Sequence, residues 1–173
     1  MTKAEWENWI VIYGRQIYSF CRYLTHDREE ADDLYQDTFL TAIRQQERIM
    51  PGESAKGYLL AIAMNLYKNR KKKFAVRNRI AKMQSLGEEE QIIPDQETTP
   101  LEKCLKQEEE RKVREAVNSL SDKYRLPVLL YYMEDMDLSQ IASLMKLPVG
   151  TVKSRLYHAR MLLKKKLEVV LNE

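Results

Sequence analysis

The sequence predicts an all-α protein of two helical domains joined by a linker, with a helix-turn-helix in the second. Three observations carry this. Apolar residues recur at three- and four-residue steps over long stretches, the spacing of a helix that buries one face. Helix breakers gather at a few points: Pro51 with Gly52, Pro94, Pro100, and Pro148 with Gly150. The net charge of +3 hides a segregation by segment that runs acidic, basic, acidic, basic. At 173 residues there is room for one or two cores. The expected division is a first domain over 1–74, a linker over 75–98 and a second domain over 99–173. No apolar run approaches the ~20 residues of a membrane helix, and the first residues have no apolar signal core, so a cytoplasmic protein is expected. Cys21 and Cys104 stand alone, as do His26 and His158, so no metal site is expected and no cofactor is implied.

A first helix is expected over residues 6–24, with Ile10, Tyr13, Ile17, Phe20 and Leu24 as its core stripe. Gly14 weakens it locally. A second is expected over 29–46. Ala31, Leu34, Tyr35, Thr38, Phe39 and Ala42 form its inner face. Its other face carries Asp33, Gln36, Asp37 and Arg44 around an exposed Leu40. An apolar anchor in a polar rim is the anatomy of a protein contact; a solvated face with one stray leucine reads equally well. Residues 47–54 read as a loop. A third helix is expected over 54–73, with Leu59, Ile62, Ala63 and Leu66 inward and Tyr58 beside them. No acid occurs from Ser54 to Gly87, while Lys56, Lys68, Arg70, Lys71, Lys72, Lys73, Arg77, Arg79 and Lys82 fall in that span. Such a tract is a footprint for phosphate, and Asn65 and Asn69 add amides able to bond base edges. The linker then turns acidic through Glu88, Glu89, Glu90 and Asp95.

The second domain begins at Thr99-Pro100-Leu101-Glu102, a capping box with proline at the first helical position. Leu101, Leu105, Val113 and Val117 carry its stripe. Ser121 is expected to cap a helix over 122–134 that tolerates Pro127 and supplies Tyr124, Val128, Leu129, Tyr131 and Tyr132 to a small core. Asp137 with Gln140 is a capping box for a helix over 138–145. A turn at 146–150 leads to a helix from about 150 to 168, with Val152, Leu156, Ala159 and Leu163 buried. Gly150, Ser154, Tyr157, His158 and Met161 lie on its outer face, flanked by Lys153 and Arg160. No acid occurs between Leu138 and Leu167. A basic helix with hydroxyls and an imidazole suits a major groove.

From the residues alone, a stand-alone regulator of duplex DNA explains the second domain but leaves Leu40, Asn65 and the basic tract without a role. A nucleic-acid enzyme needs a reactive cluster, and Asp32, Asp33 and Asp37 make a poor one. An adaptor without DNA contact leaves both acid-free segments unused.

Three motifs in order resemble one family. REEADDLYQDTFLTAIR (28–44) resembles the core-binding helix of bacterial extracytoplasmic-function (ECF) sigma factors. YLLAIAMNL (58–66) is similar to their promoter-melting helix, and DLSQIASLMKLPVGTVKSRLYHAR (137–160) to their −35-reading helix-turn-helix. The resemblance spans nearly all the chain except the linker. It implies a non-enzymatic factor that makes core RNA polymerase promoter-specific. Asp33, Gln36, Asp37, Leu40 and Arg44 would meet the β′ clamp helices, and the second domain would sit on the β flap. The loop over 47–56 with Lys56, Tyr58, Asn65, Lys68, Asn69 and Lys72 would hold the −10 strand with a flipped base. Thr151, Lys153, Ser154, Arg155, Tyr157, His158 and Arg160 would face the −35 element. An anti-sigma factor is implied as a further partner. Tyr58 stands where the family commonly has tryptophan, Ile49 and Ala55 where aromatic residues often occur, and His158 where arginine is frequent. A shifted −35 preference is expected from the last.

Overall fold

The computed structural model describes residues 2–25, 27–48, 54–82 and 101–171, and at 48, 81, 82, 101–107 and 169–171 the backbone alone. All regular structure among them is helical: α1 (Lys3–Leu24), α2 (Arg28–Arg44), a 3-10 turn at Gln46–Arg48, α3 (Ala55–Lys82), α4 (Leu101–Asn118), α5 (Asp122–Tyr132), α6 (Leu138–Met145) and α7 (Val149–Leu171). The chain divides into two compact units, Met1–Asp95 and Gln96–Glu173. The expected Thr99 cap, the acidic segment, His26, Ile49 and most of the 47–54 loop lie outside the described residues, as do the side chains of Leu101, Leu105 and Cys104.

In the first unit α1, α2 and α3 pack against one another pairwise. Ile17, Phe20 and Leu24 meet Ala31, Leu34, Phe39 and Ala42 of α2 and Leu59, Leu60, Ala63 and Met64 of α3, all buried. The stripe expected in α1 is right in its lower half only: Ile10 is 42% exposed, and Trp6 takes the core place at that end. The indole Nε1 of Trp6 donates to Gln46 Oε1 at 3.2 Å, tying α1 to the exit from α2. Both N-caps lie upstream of the expected starts. Thr2 and Glu5 form a full capping box, and the Asp27 carboxylate accepts from Glu30 N at 2.9 Å. Helix α3 runs nine residues past its expected end at Lys73, because no glycine or proline interrupts its Ala, Lys and Arg.

Gly14 does more than weaken a helix. A β-carbon there would stand 2.9 Å from the Tyr35 hydroxyl. The Tyr35 ring is held edge-on between Tyr18 (5.6 Å) and Phe39 (5.1 Å), so it has little room to retreat. Gly→Ala inside a helix ordinarily gains about 1 kcal/mol; overpacking costs about 1–3. Gly14→Ala is therefore expected to bring no gain, or a net loss of about 1 kcal/mol, in chemical denaturation. In a Tyr35→Phe background the gain is expected to return. A gain of the full amount in the wild-type background would refute the contact.

In the second unit α7 is the centre: α4, α5 and α6 each pack on it. Leu126, Leu129, Leu130, Ile141, Val152, Leu156 and Ala159 form the core. Two expected members lie outside it. Val113 is 48% exposed, its place taken by Ala116 and Leu120, and Tyr132 is 54% exposed. Ser121 has N-cap backbone but makes no side-chain cap; its carbonyl instead accepts from Tyr124 N and Arg125 N. Arg125, given no part by the sequence analysis, is 2% exposed and pairs through Nη2 with Asp122 Oδ1 at 3.0 Å.

Candidate nucleic-acid and protein interfaces

The helix-turn-helix is built from local chemistry. Asp137 accepts from Gln140 N at 2.8 Å, and Gln140 Oε1 accepts from Asp137 N at 2.9 Å, so the start of α6 is fixed as expected. Its end is made by Lys146 in the left-handed region (φ 55°), with Leu147 N donating to Ala142 O at 2.9 Å. Lysine here does the work more often given to glycine. Gly150 lies inside α7, second in the helix, with open space around it. Val152, Leu156 and Ala159 are buried and Leu163 half-buried, which leaves Lys153, Ser154, Tyr157, His158 and Arg160 exposed together on the outer side. Thr151 and Arg155 are half-buried at the edge.

Beside this face lies an open cleft of about 450 Å³, lined by Lys123 and Tyr124 of α5 and by Gly150, Thr151, Ser154, Arg155 and His158 of α7. The starts of α5 and α7 both border it, so partial positive charge of two helix ends adds to two cations. No local signal in the sequence places Lys123 beside a helix 27 residues away. The His158 ring meets Tyr157 at 5.7 Å and Tyr124 at 6.4 Å, both edge-on. Arg160 is exposed and is also engaged within the unit. Its Nε donates to Tyr132 Oη at 2.8 Å and its guanidinium lies over the rings of Tyr131 and Tyr132, so the side chain is turned back onto α5.

On α3, Asn65, Asn69 and Lys72 are exposed and Lys68 half-buried, at helical spacing along one stripe. The structure does not bring the other two expected residues to it. Lys56 stands nine residues before Asn65, two and a half turns, on the other side of the helix. Tyr58 is 8% exposed, its hydroxyl donating to Gln45 O at 3.1 Å. It braces the start of α3 from beneath. The tract from Lys71 to Ile80 is exposed throughout, so its cations face solvent along a continuous helix.

On α2, Asp33, Gln36, Asp37, Leu40 and Arg44 are all exposed, Leu40 at 49%. Ile43, 39% exposed, extends the apolar centre; its position three residues after Leu40 was the available signal. Asp37 is engaged within the unit. Arg70 Nη2 reaches its Oδ2 at 2.6 Å, and Arg70 Nη1 reaches Glu30 O at 3.4 Å. One cation of the basic helix thus holds one acid of the acidic face. Among the described residues no cluster of His, Cys, Asp or Glu fits a metal ion. The Cys21 thiol is buried, and burial pushes its pKa up to about 12, so it stays protonated and unreactive. No described helix is long and apolar enough to cross a membrane.

Residues 9–76 match the family model for sigma-70 region 2, and residues 110–163 that for sigma-70 region 4. The chain is 29% identical over 160 residues to the ECF RNA polymerase sigma factor SigW of Bacillus subtilis, covering 90% of this chain and 85% of that one. It is 30% identical over 148 residues to the ECF RNA polymerase sigma-E factor of Haemophilus influenzae, covering 82% and 76%. In fold it is similar to the sigma factor RpoE of Bartonella quintana, solved in complex with the anti-sigma factor NepR. That match has a TM-score of 0.74 and 23% identity, and covers 95% of this chain and 98% of that one.

Proposed function

Because this chain belongs to the ECF RNA polymerase sigma factors of the sigma-70 family, we propose a division of labour among the three surfaces described above. The protein is a sigma factor that binds core RNA polymerase and promoter DNA and directs promoter-specific initiation of transcription. It acts as an initiation factor in the cytoplasm, with no reaction of its own. One observation supports the division most. The first unit carries, on adjacent helices, an acidic stripe with an apolar centre and an amide-bearing basic stripe. A regulator of duplex DNA needs neither.

In this reading Asp33, Gln36, Asp37, Leu40, Ile43 and Arg44 meet the polymerase β′ clamp helices. Asn65 and Asn69 bond an unstacked base of the −10 strand while Lys68 and Lys72 hold its phosphates. Base opening costs a few kcal/mol. Captured bases return about 1–3 kcal/mol each where they stack; with Tyr58 buried, hydrogen bonds and cations carry that share here. The second domain, 99–173, sits on the β flap and reads −35 through Lys153, Ser154, Tyr157 and His158, with Thr151 and Arg155 at the phosphate edge. The chain beyond α3 (Ala55–Lys82) joins it to the first domain. An anti-sigma factor that covers the polymerase-facing surfaces is the expected regulator.

Run-off transcription with purified bacterial core polymerase, on genomic fragments including the region upstream of its own gene, tests this. A discrete start site that depends on the protein is expected. Tight binding to palindromic duplex without polymerase, and none to core, would replace this reading with a stand-alone regulator. His158 supplies a second test. Histidine cannot make the bidentate contact of arginine with guanine, so His158→Arg is expected to shift −35 preference toward guanine at one position by about fivefold or more. An unchanged preference in a promoter library would remove His158 from the reading face.

A further inference from the structure

We infer that Arg160 is a positioning residue that sets the angle of the reading helix on the −35 duplex and makes no DNA contact of its own. This rests on the −35 reading proposed above. Its head group engages two residues of α5, Tyr131 and Tyr132. The guanidinium carbon lies 5.7 Å from the Tyr131 ring centre, and Nε donates to Tyr132 Oη at 2.8 Å, which leaves that carbon at the hydroxyl end of the Tyr132 ring, 5.8 Å from its centre. The two rings meet edge-on at 5.0 Å, so they form one seat at the end of α5. An arginine fits such a seat because its flat cation can meet one ring while its N–H edge bonds the hydroxyl of the other.

The place of this seat gives it a consequence. Inside the unit, α7 is held by Val152, Leu156 and Ala159, each almost fully buried. Beyond Ala159 no described side chain of α7 is fully buried: Met161 and Leu162 are 53% and 40% exposed and Leu163 is half-buried, and the hold there includes a hydrogen bond from Lys166 Nζ to Ser119 Oγ, just past the end of α4. Arg160 therefore ties the helix to α5 at the point where its fully buried stripe ends. It also accounts for the 54% exposure of Tyr132, whose hydroxyl and ring serve the arginine and not the core. Base readout needs side chains held within about 0.5 Å and 10–20°. Tyr157 and His158, one turn or less before Arg160, are the residues that a loosened helix would misplace.

The test uses holoenzyme assembled from the full chain and core polymerase, on the promoter fragment found by run-off and on the same fragment with its −35 element scrambled. Affinity for each is measured across a salt series. Wild-type protein is expected to prefer the intact fragment; indifference would overturn the sigma reading and this inference with it. Given that preference, Arg160→Gln and Arg160→Lys are both expected to lose about tenfold of it, the scale of one good base contact, with an unchanged slope of log affinity on log salt. Lysine keeps the charge but not the flat fork. Tyr132→Phe, which keeps the ring and removes the hydroxyl, is expected to lose about fivefold, the worth of one net hydrogen bond. A phosphate contact predicts otherwise: Arg160→Gln would lower the slope by about 0.9, Arg160→Lys would restore it, and Tyr132→Phe would be silent. That pattern, or wild-type discrimination in all three variants, would overturn the inference.

Discussion

Leu40→Asp is expected to weaken binding to core RNA polymerase by about thirtyfold or more while leaving the fold intact. Truncating the centre of an interface commonly removes about 2 kcal/mol or more, and a carboxylate placed there adds the penalty of a desolvated charge without a partner. The side chain is half exposed in the free protein and contributes little to the core, so the melting temperature should hardly move. Competition with labelled wild-type protein for core polymerase reads the affinity, and circular dichroism reads the fold. Wild-type affinity in this variant would return Leu40 to the class of stray surface leucines. Asp37→Lys should also block binding, but it is the less clean variant. It breaks the pair with Arg70, whose side chain is 36% exposed and that of Asp37 52%. Such a pair is worth only about 0.2–1 kcal/mol, so the fold should survive. Arg70→Gln serves as its control, since it breaks the pair without reversing charge on the acidic face.

The second large effect is expected from Asn65→Ala combined with Asn69→Ala. Open-complex formation on a duplex promoter should fall by about tenfold or more, because two side chains able to bond an unstacked base are lost and each good amide–base pair is worth about 1–3 kcal/mol. On a promoter already unpaired across −10, at saturating protein, the defect should shrink, since capture no longer has to offset opening. Both residues are exposed, so the core built by Leu59, Leu60, Ala63 and Met64 on other sides of α3 is untouched. Permanganate footprinting of unpaired thymines measures opening. An equal defect on duplex and unpaired templates would place the two amides in polymerase or phosphate contact and not in base capture.

Most helices were legible because their determinants are short in sequence. The Asp137–Gln140 box places the start of α6, and the four-three-four apolar spacing of α7 gives its buried side. The face of α2 was legible too, since an acidic stripe with a leucine in it needs no partner helix to be seen. Errors arose where a local pattern left a margin. A stripe gives the phase of a helix but not how far the neighbouring helix extends along it, so Ile10, Val113 and Tyr132 were placed in cores that do not reach them. The end of α3 was read from a change in composition, although Ala, Lys and Arg continue a helix readily.

By itself the sequence determined what depends on residues up to about four apart: helix type and phase, caps, charge segregation, and the motifs that carry the family resemblance. The pairs that link distant elements emerge only in the folded chain. Gly14 meets Tyr35, Tyr58 reaches Gln45, Asp37 is held by Arg70, and Arg160 is seated on Tyr131 and Tyr132. Each depends on the distance and angle at which two helices pack, and those follow from how whole faces interdigitate, not from any neighbouring residue. That is why the partners of Tyr58 and Arg160, Gln45 in one unit and Tyr131 with Tyr132 in the other, could not be read from the residues around them.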